Sequence, residues 1–373
     1  MKRRFFALAL CSIMMVGLVG NASSIDYSTI DNVGAQDSEQ EVIQYFQDQV
    51  DHDFFGGIYY DDDGTLVVNV VGKPTEIFSG LPTPISDNSS IRYKSVEHSL
   101  KELEDVKDSL ANYMAQYDIA MLDANEMTNQ IDVALYNYTD ENMNELYAIV
   151  EAISPGIPLN FLDYSNCSLN TTVAYERPNY AESMKVLDLD KESAQSSINI
   201  YSGFPIKING GYYTLGPITS SQRAFTAGHG VGTTATVKSA FNFLDTIGGA
   251  FGMYGGNSGD WSRINLSSNT SANGFCSLGN PVMNRSVRML GAVSGPQSGR
   301  ILQTNVTIGA PAPVANLTGM CSASYSCQSG DSGAAIMDSN GNYCVGVQSS
   351  ALFYENGSWA GTSYFTPSEK FYT

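Results

Sequence analysis

Histidine is almost missing from this chain: three residues in 373, at His52, His98 and His229. A general base working near neutral pH therefore has few candidates. Basic residues are scarce too, 19 Lys and Arg against 38 Asp and Glu, for a formal net charge of −19. The second half of the chain has low charge, no basic run and no interleaving of basic with aromatic residues, which argues against nucleic acid as a partner. Beyond the first twenty or so positions no stretch is long and apolar enough to span a membrane. The acidic run Asp61-Asp62-Asp63 lacks the spacing and terminal Glu of an EF-hand loop and reads as a solvated turn. His52 and His98 have no companion at metal-ligand spacing and read as surface residues. No metal and no cofactor is implied.

What is present suits a β-rich exported protein. Apolar residues make up 43% of the chain, enough for real cores, while charged residues make up only 15%; Gly (35) and Tyr (22) are plentiful. Residues 1–22 read as a signal peptide: Lys2, Arg3 and Arg4, then a mostly apolar stretch from Phe5 to Val19, then Gly20-Asn21-Ala22 as a small-x-small cleavage site. The rival reading, a membrane anchor, has too short a run and no stop-transfer pattern after it. Secretion is expected, and with it an oxidising compartment. Cys11 lies in the leader. Of the other five, Cys276, Cys321, Cys327 and Cys344 allow three disulfide pairings, which the sequence does not rank.

The acidity sits in one half. Residues 23–190 hold 31 Asp and Glu against 7 Lys and Arg; residues 191–373 hold 7 against 9. Such a break marks separate units, here 23–190 and 191–373. It also suggests an acidic segment that docks on a mildly basic partner and is later cut from it, between about 185 and 200.

The first unit reads as α+β. Asp63-Gly64 between two β-prone runs signals a hairpin. Val96, Leu100, Leu103, Val106, Leu110 and Tyr113 recur at helical spacing, which predicts a helix over 95–114 with Ser95 as cap. Ile131, Val133 and Leu135 alternate as a strand. A second helix follows, capped by Thr139 or Asp140 and stopped by Pro155-Gly156.

The second unit carries three chemical stretches: Phe225-Thr226-Ala227-Gly228-His229-Gly230, then Asp260-Trp261-Ser262, then Ser329-Gly330-Asp331-Ser332-Gly333. A serine hydroxyl becomes a useful nucleophile only when a base takes its proton and a carboxylate orients that base. His229 is the only histidine of this unit, so it is the candidate base; Asp260 is one of few acids available to orient it. Ser332 lies among glycines that let the backbone turn sharply and aim the Gly330 and Ser332 N–H groups at one point, an oxyanion hole. The order His, Asp, Ser differs from the subtilisin and α/β-hydrolase orders, and no G-x-S-x-G elbow occurs, which disfavours a convergent esterase.

In these motifs the sequence resembles the chymotrypsin-like serine proteases, specifically the bacterial branch of streptogrisins and alpha-lytic protease. TAGHG is similar to that family's sequence around the base, and GDSGAA to its sequence around the nucleophile. Gly291-Ala292-Val293-Ser294-Gly295 with Ser298-Gly299-Arg300-Ile301 resembles a further stretch of the branch, and Phe365-Thr366-Pro367 its closing motif. The resemblance covers most of 198–373. It implies an all-β protease domain of two perpendicular six-stranded β-barrels with the site between them, preceded by an α+β pro-region that aids folding and then inhibits. It also implies that Ser349, Ser350 and Ala351 pair with substrate backbone, and that Ser326, Ser329, Gln348 and Ser350 lie at the specificity pocket; all four are uncharged, which disfavours a fixed acidic pocket for Lys or Arg. Gly230 stands where the family has a cysteine. No arginine precedes an Ile-Val-Gly-Gly terminus, so activation by a new N-terminal ion pair is not implied. The expectation is a monomeric, secreted serine endopeptidase acting on proteins or peptides through His229, Asp260 and Ser332, with its own pro-region as partner. The rival is a catalytically silent protease-like binding protein.

Overall fold

Asp61 shapes the first hairpin: its Oδ1 accepts hydrogen bonds from the Thr65 (2.8 Å) and Asp63 (3.0 Å) N–H groups, and Gly64 takes the left-handed position. The structure is a computed structural model. It describes residues 43, 45–46, 50, 52–73, 91–172, 174–180, 198–241, 244–309, 315–341 and 343–372. The signal-peptide reading (1–22) lies outside these residues, as does most of the expected cut region. No helix among the described residues is long and apolar enough to cross a membrane.

The hairpin strands β1 (Phe55–Tyr60) and β2 (Leu66–Val71) are joined by β3 (Ile91–Val96), which runs parallel to β2. Helix α1 spans Leu100–Ala111, shorter than the expected 95–114, because Ser95 and Val96 are taken up by pairing with Val70 and Val71. Ser99, not Ser95, caps it, accepting the Glu102 N–H at 3.1 Å. Next come β4 (Ile119–Asn125), β5 (Gln130–Leu135), α2 (Asp140–Ile153) and β6 (Leu159–Asp163), with Thr139 as the cap of α2. Leu103, Val106 and Leu110 of α1 and Leu146 and Val150 of α2 pack on Ile131, Val133 and Leu135 in one apolar core. His52 is exposed as expected. His98 is not a surface residue: its side chain is only 13% exposed and its Nδ1 lies 3.2 Å from Glu102 on the first turn of α1.

The next layer begins with β8 (Ile198–Ile200), which pairs in parallel with β16 (Thr270–Ala272). Seven strands form its main sheet: β9 (Pro205–Ile208), β10 (Gly211–Thr214), β11 (Ile218–Ser220), β12 (Arg223–Thr226), β13 (Thr234–Ser239), β14 (Thr246–Tyr254) and β15 (Asp260–Leu266). They curl around Ile206, Ile208, Leu215, Val237, Ile247 and Ile264. The count exceeds the expected six because short hairpins close both ends of the sheet.

The last layer has six strands. These are β18 (Ser286–Gly291), β19 (Gly295–Ile308), β20 (Leu317–Ala323), β21 (Ala335–Asp338), β22 (Tyr343–Tyr354) and β23 (Trp359–Pro367), with short β17 (Ser277–Leu278) beside β22. Their order β18-β21-β22-β23-β20-β19 closes on itself through β18–β19 pairing, a barrel around Val287, Met289, Ile301, Ile336, Val345 and Phe365.

The N-terminal elements are continuous with this barrel. Strand β4 pairs with β19 through Leu122↔Thr307 and Met121↔Ile308, so β4-β5-β6 extend the barrel sheet. A seventh N-terminal strand, β7 (Cys167–Thr171), pairs antiparallel with β22. Around the β4–β19 seam apolar side chains are joined by a few polar contacts. The Lys107 ammonium donates to the Asn305 carbonyl at 2.7 Å, and the Gln303 amide to Asp132 at 3.3 Å.

Three acids, Asp123, Glu126 and Asp132, are buried at this seam. Burial first, then the Asp132 charge, pushes Asp123 well above the usual carboxylate range. Burial likewise pushes Glu126 up to about 7, against the opposing hydrogen bonds from Thr304 and the Ile58 N–H. A carboxyl raised in the folded chain stabilises the fold fully below its unfolded value, and that stability is lost as pH rises through the folded value. The urea midpoint of the uncut chain is therefore expected to fall from about pH 5 to about pH 7, by about 1.4 kcal/mol per pH unit for one such group. Glu126→Gln should flatten the slope; an unchanged slope would rule Glu126 out as its source.

Candidate active site

Strand β12 delivers Ala227-Gly228-His229 against the start of β15, where Asp260 is fully buried. A Cβ on Gly228 would lie 2.0 Å from the Met253 carbonyl oxygen and 2.7 Å from that of Trp261, so only glycine lets the chain pass here. This approach aims two main-chain N–H groups, of Gly228 and His229, at Asp260 Oδ1, each at 2.7 Å. The other carboxylate oxygen faces His229 Nδ1 at 2.6 Å and accepts the Ser349 hydroxyl at 2.5 Å. Burial alone would raise the Asp260 pKa. The His229 charge, with the hydrogen bonds from His229 and Ser349, outweighs it and holds the carboxyl below its usual range. When the imidazole is neutral and Nδ1 donates to the carboxylate, Nε2 presents its lone pair; among the described residues Nε2 has no hydrogen-bond partner. The rings of Tyr213 and Tyr254 flank the imidazole at 5.7 and 5.9 Å.

The turn 330–333 stands opposite. Gly330 has φ +104°, a left-handed conformation that a side chain would strain. Asp331 is buried, and its carboxylate accepts the Gln328, Val293 and Ser294 N–H groups at 2.9, 2.9 and 3.2 Å and the Ser294 hydroxyl at 2.5 Å. The turn is thus held by local donors without a new chain terminus, in keeping with the missing Ile-Val-Gly-Gly sequence.

The cleft beside this turn is filled by the chain itself. Residues Cys167–Thr171 lie along β22 in the register Tyr354↔Cys167, Phe353↔Ser168, Leu352↔Leu169, Ala351↔Asn170 and Ser350↔Thr171. Thr172 follows, fully buried, with its N–H donating to the Ser349 carbonyl at 3.3 Å. The Thr172 carbonyl oxygen accepts from both the Gly330 N–H (2.6 Å) and the Ser332 N–H (3.1 Å). Beyond it, Ala174 and Tyr212 exchange both main-chain hydrogen bonds, at 3.3 and 2.7 Å. The Ser332 hydroxyl lies 3.0 Å from the Thr172 hydroxyl and 3.3 Å from the Ser349 carbonyl, not on His229.

His229 and Asp260 are therefore joined by a hydrogen bond, and the Gly330 and Ser332 N–H groups converge on one oxygen. Ser349, Ser350 and Ala351 lie on the strand that pairs with an extended peptide. Gln348, on the same strand, is fully buried: its Oε1 accepts the Tyr325 hydroxyl (2.6 Å) and its amide donates to the Ser350 carbonyl (2.9 Å). Ser326 donates to Gln297 at 3.0 Å, and Ser329 is exposed beside Gly330. The expected disulfides are not formed; Cys167, Cys276, Cys321, Cys327 and Cys344 are free thiols. At Gly230 the reason is local: a Cβ there would lie 2.0 Å from the Tyr213 hydroxyl, which fills the space a cysteine would need.

Four residues take part in ways the sequence does not signal. Ser349 serves Asp260 through its hydroxyl as well as the strand through its backbone, Tyr213 and Tyr254 wall the imidazole, and Thr172 acts through a carbonyl. Any residue can supply a carbonyl.

No protein-family model matches the sequence, and no curated protein matches it. Among solved structures the chain is similar to bacterial chymotrypsin-like proteases. A chymotrypsin from Cellulomonas bogoriensis is 21% identical over 46% of this chain and 92% of its own, with a TM-score of 0.38. Protease A of Thermobifida fusca is 21% identical over 45% and 91%, with a TM-score of 0.38. A Nocardiopsis protease is 19% identical over 45% and 92%, with a TM-score of 0.37. At these values the likeness adds no weight to the geometry.

Proposed function

We propose that this chain is the precursor of a secreted serine endopeptidase in which His229 is the base, Asp260 its orienting partner and Ser332 the nucleophile. One observation carries the reading. A peptide carbonyl oxygen sits between two converging N–H groups, with the Ser332 hydroxyl beside it and a carboxylate-oriented histidine across the cleft. The two-donor hole and the carboxylate-held histidine are parts that acyl transfer requires, and the remaining link, Ser332 Oγ to His229 Nε2, forms when Oγ leaves the Thr172 hydroxyl. The reaction forms a bond from Ser332 Oγ to the carbonyl carbon while His229 Nε2 takes the hydroxyl proton. The amine then leaves with that proton, and water reverses the sequence to release the acid. Residues before the barrels act as the pro-region, since their strand β7 occupies the groove where a peptide substrate would pair.

The silent-binder alternative is met by one experiment. Once the covering segment has been removed by an added protease, a fluorophosphonate is expected to label the protein at Ser332 and at no other residue. A folded barrel domain that stays unlabelled would sink the catalytic reading.

A further inference from the structure

The pairing of residues 167–172 and of Ala174 is more specific than a plug. An extended peptide is read by an endopeptidase through main-chain pairing on both sides of the bond to be cut. Here five residues pair with β22 on one side, Ala174 pairs with Tyr212 on the other, and the carbonyl between them lies in the two-donor hole. These contacts leave a single bond in register with the nucleophile. Resting on the endopeptidase reading, we propose that the Thr172–Val173 peptide bond is this protein's own first substrate, cut within one chain by Ser332.

The step balances without a co-reactant other than water. Ser332 Oγ swings off the Thr172 hydroxyl to His229 Nε2, which has no other partner among the described residues, and gives up its proton there. The Oγ–carbon bond forms at the Thr172 carbonyl, and the bond to the Val173 nitrogen breaks as that nitrogen takes the proton from His229. Water then hydrolyses the Thr172 ester. The products are a fragment ending in a Thr172 carboxylate and a chain beginning at Val173.

Two consequences separate this from a cut at the charge break. The mature chain keeps residues 173–197, including Glu176, Glu182, Asp188 and Asp190. The residue accepted before the cut is a threonine whose side chain is wholly enclosed. Substrates in trans are then peptides with threonine, or the isosteric valine, on the acyl side of the cut bond.

The test uses the full chain. Wild type is expected to break into two pieces, with Val173 at the new N-terminus by intact mass and terminal sequencing, and with a half-time independent of dilution. Ser332→Ala should stay whole. Val173→Pro, which alters only the leaving side and no catalytic group, should slow that cut about 100-fold or more, since small misplacements at a reacting bond cost on that order. A synthetic peptide of residues 167–176 should be cut between its two counterparts of Thr172 and Val173 by the processed protein. A Ser332-dependent cut elsewhere, at 185–200 for example, would overturn this inference and leave the endopeptidase reading standing. No Ser332-dependent cut at all, with Ser332 still labelled by fluorophosphonate, would again overturn only the inference; no cut and no label would overturn both.

Discussion

Replacing Ser332 by alanine is expected to lower peptide hydrolysis about 10⁶-fold while leaving the fold in place. The size follows from what the substitution removes. Ser332 Oγ is the one hydroxyl beside a carbonyl held in the two-donor hole; the Thr172 hydroxyl nearby belongs to the occupant and leaves with it. Water cannot replace its position beside that carbonyl. What survives is the hole itself, because the Gly330 and Ser332 N–H groups are main-chain and outlast the substitution, so some rate above the uncatalysed one should remain. Stability should change little. The lost hydroxyl leaves the Thr172 hydroxyl with the Ser349 carbonyl at 3.3 Å, and Asp331 keeps its four donors. The comparison requires an equally open cleft in both proteins, so the covering segment is cut by an added protease in each. Activity of Ser332→Ala within about tenfold of wild type would end the assignment, since every step of the mechanism passes through that oxygen.

The proposed catalytic residues stand out in the sequence because chemistry dictates their side chains. His229, Asp260 and Ser332 each sit in a short stretch whose glycines are required by close approach, at Gly228 against Met253 and at Gly330 by its φ. Where a contact is made by backbone, the sequence is silent. The pairing of β7 with β22 and of β4 with β19 uses N–H and C=O groups that every residue has, so nothing in Cys167–Thr171 advertises that it fills the cleft. The same holds for the α1 start. Val96 fits a helical stripe and a strand equally well, and the parallel pairing with Val71, distant in sequence, decides between them. The charge break near Lys191 is real in composition, but charge is a property of surfaces, whereas the position of a cut is set by register in the groove. The sequence offers His98 no metal-binding companion, yet its partner is a carboxylate in the first turn of α1, which composition does not single out.

Asp260→Asn is expected to cost about 10⁴-fold in turnover without disturbing the barrels. Asp260 takes four donors on two oxygens: two main-chain N–H groups at 2.7 Å on one, and His229 Nδ1 at 2.6 Å with the Ser349 hydroxyl at 2.5 Å on the other. Asparagine has only one oxygen. The two N–H groups are fixed by the backbone at Gly228 and cannot turn away, so the amide oxygen goes to them and the amide NH₂ faces the imidazole. A donor facing Nδ1 makes Nδ1 the acceptor and moves the ring proton to Nε2, the nitrogen that must receive the Ser332 proton. The histidine remains in place but holds the wrong tautomer. Ser349 adapts by rotating its hydroxyl hydrogen, so the buried amide is not left without partners and the urea midpoint should move much less than turnover does. Fluorophosphonate labelling, which also needs the Ser332 proton removed, should slow in parallel. If turnover fell no more than about tenfold, the orienting role would belong to the Tyr213 and Tyr254 walls rather than to the carboxylate. Ser349→Ala, which removes one donor but leaves the tautomer intact, separates the two accounts by costing far less than Asp260→Asn.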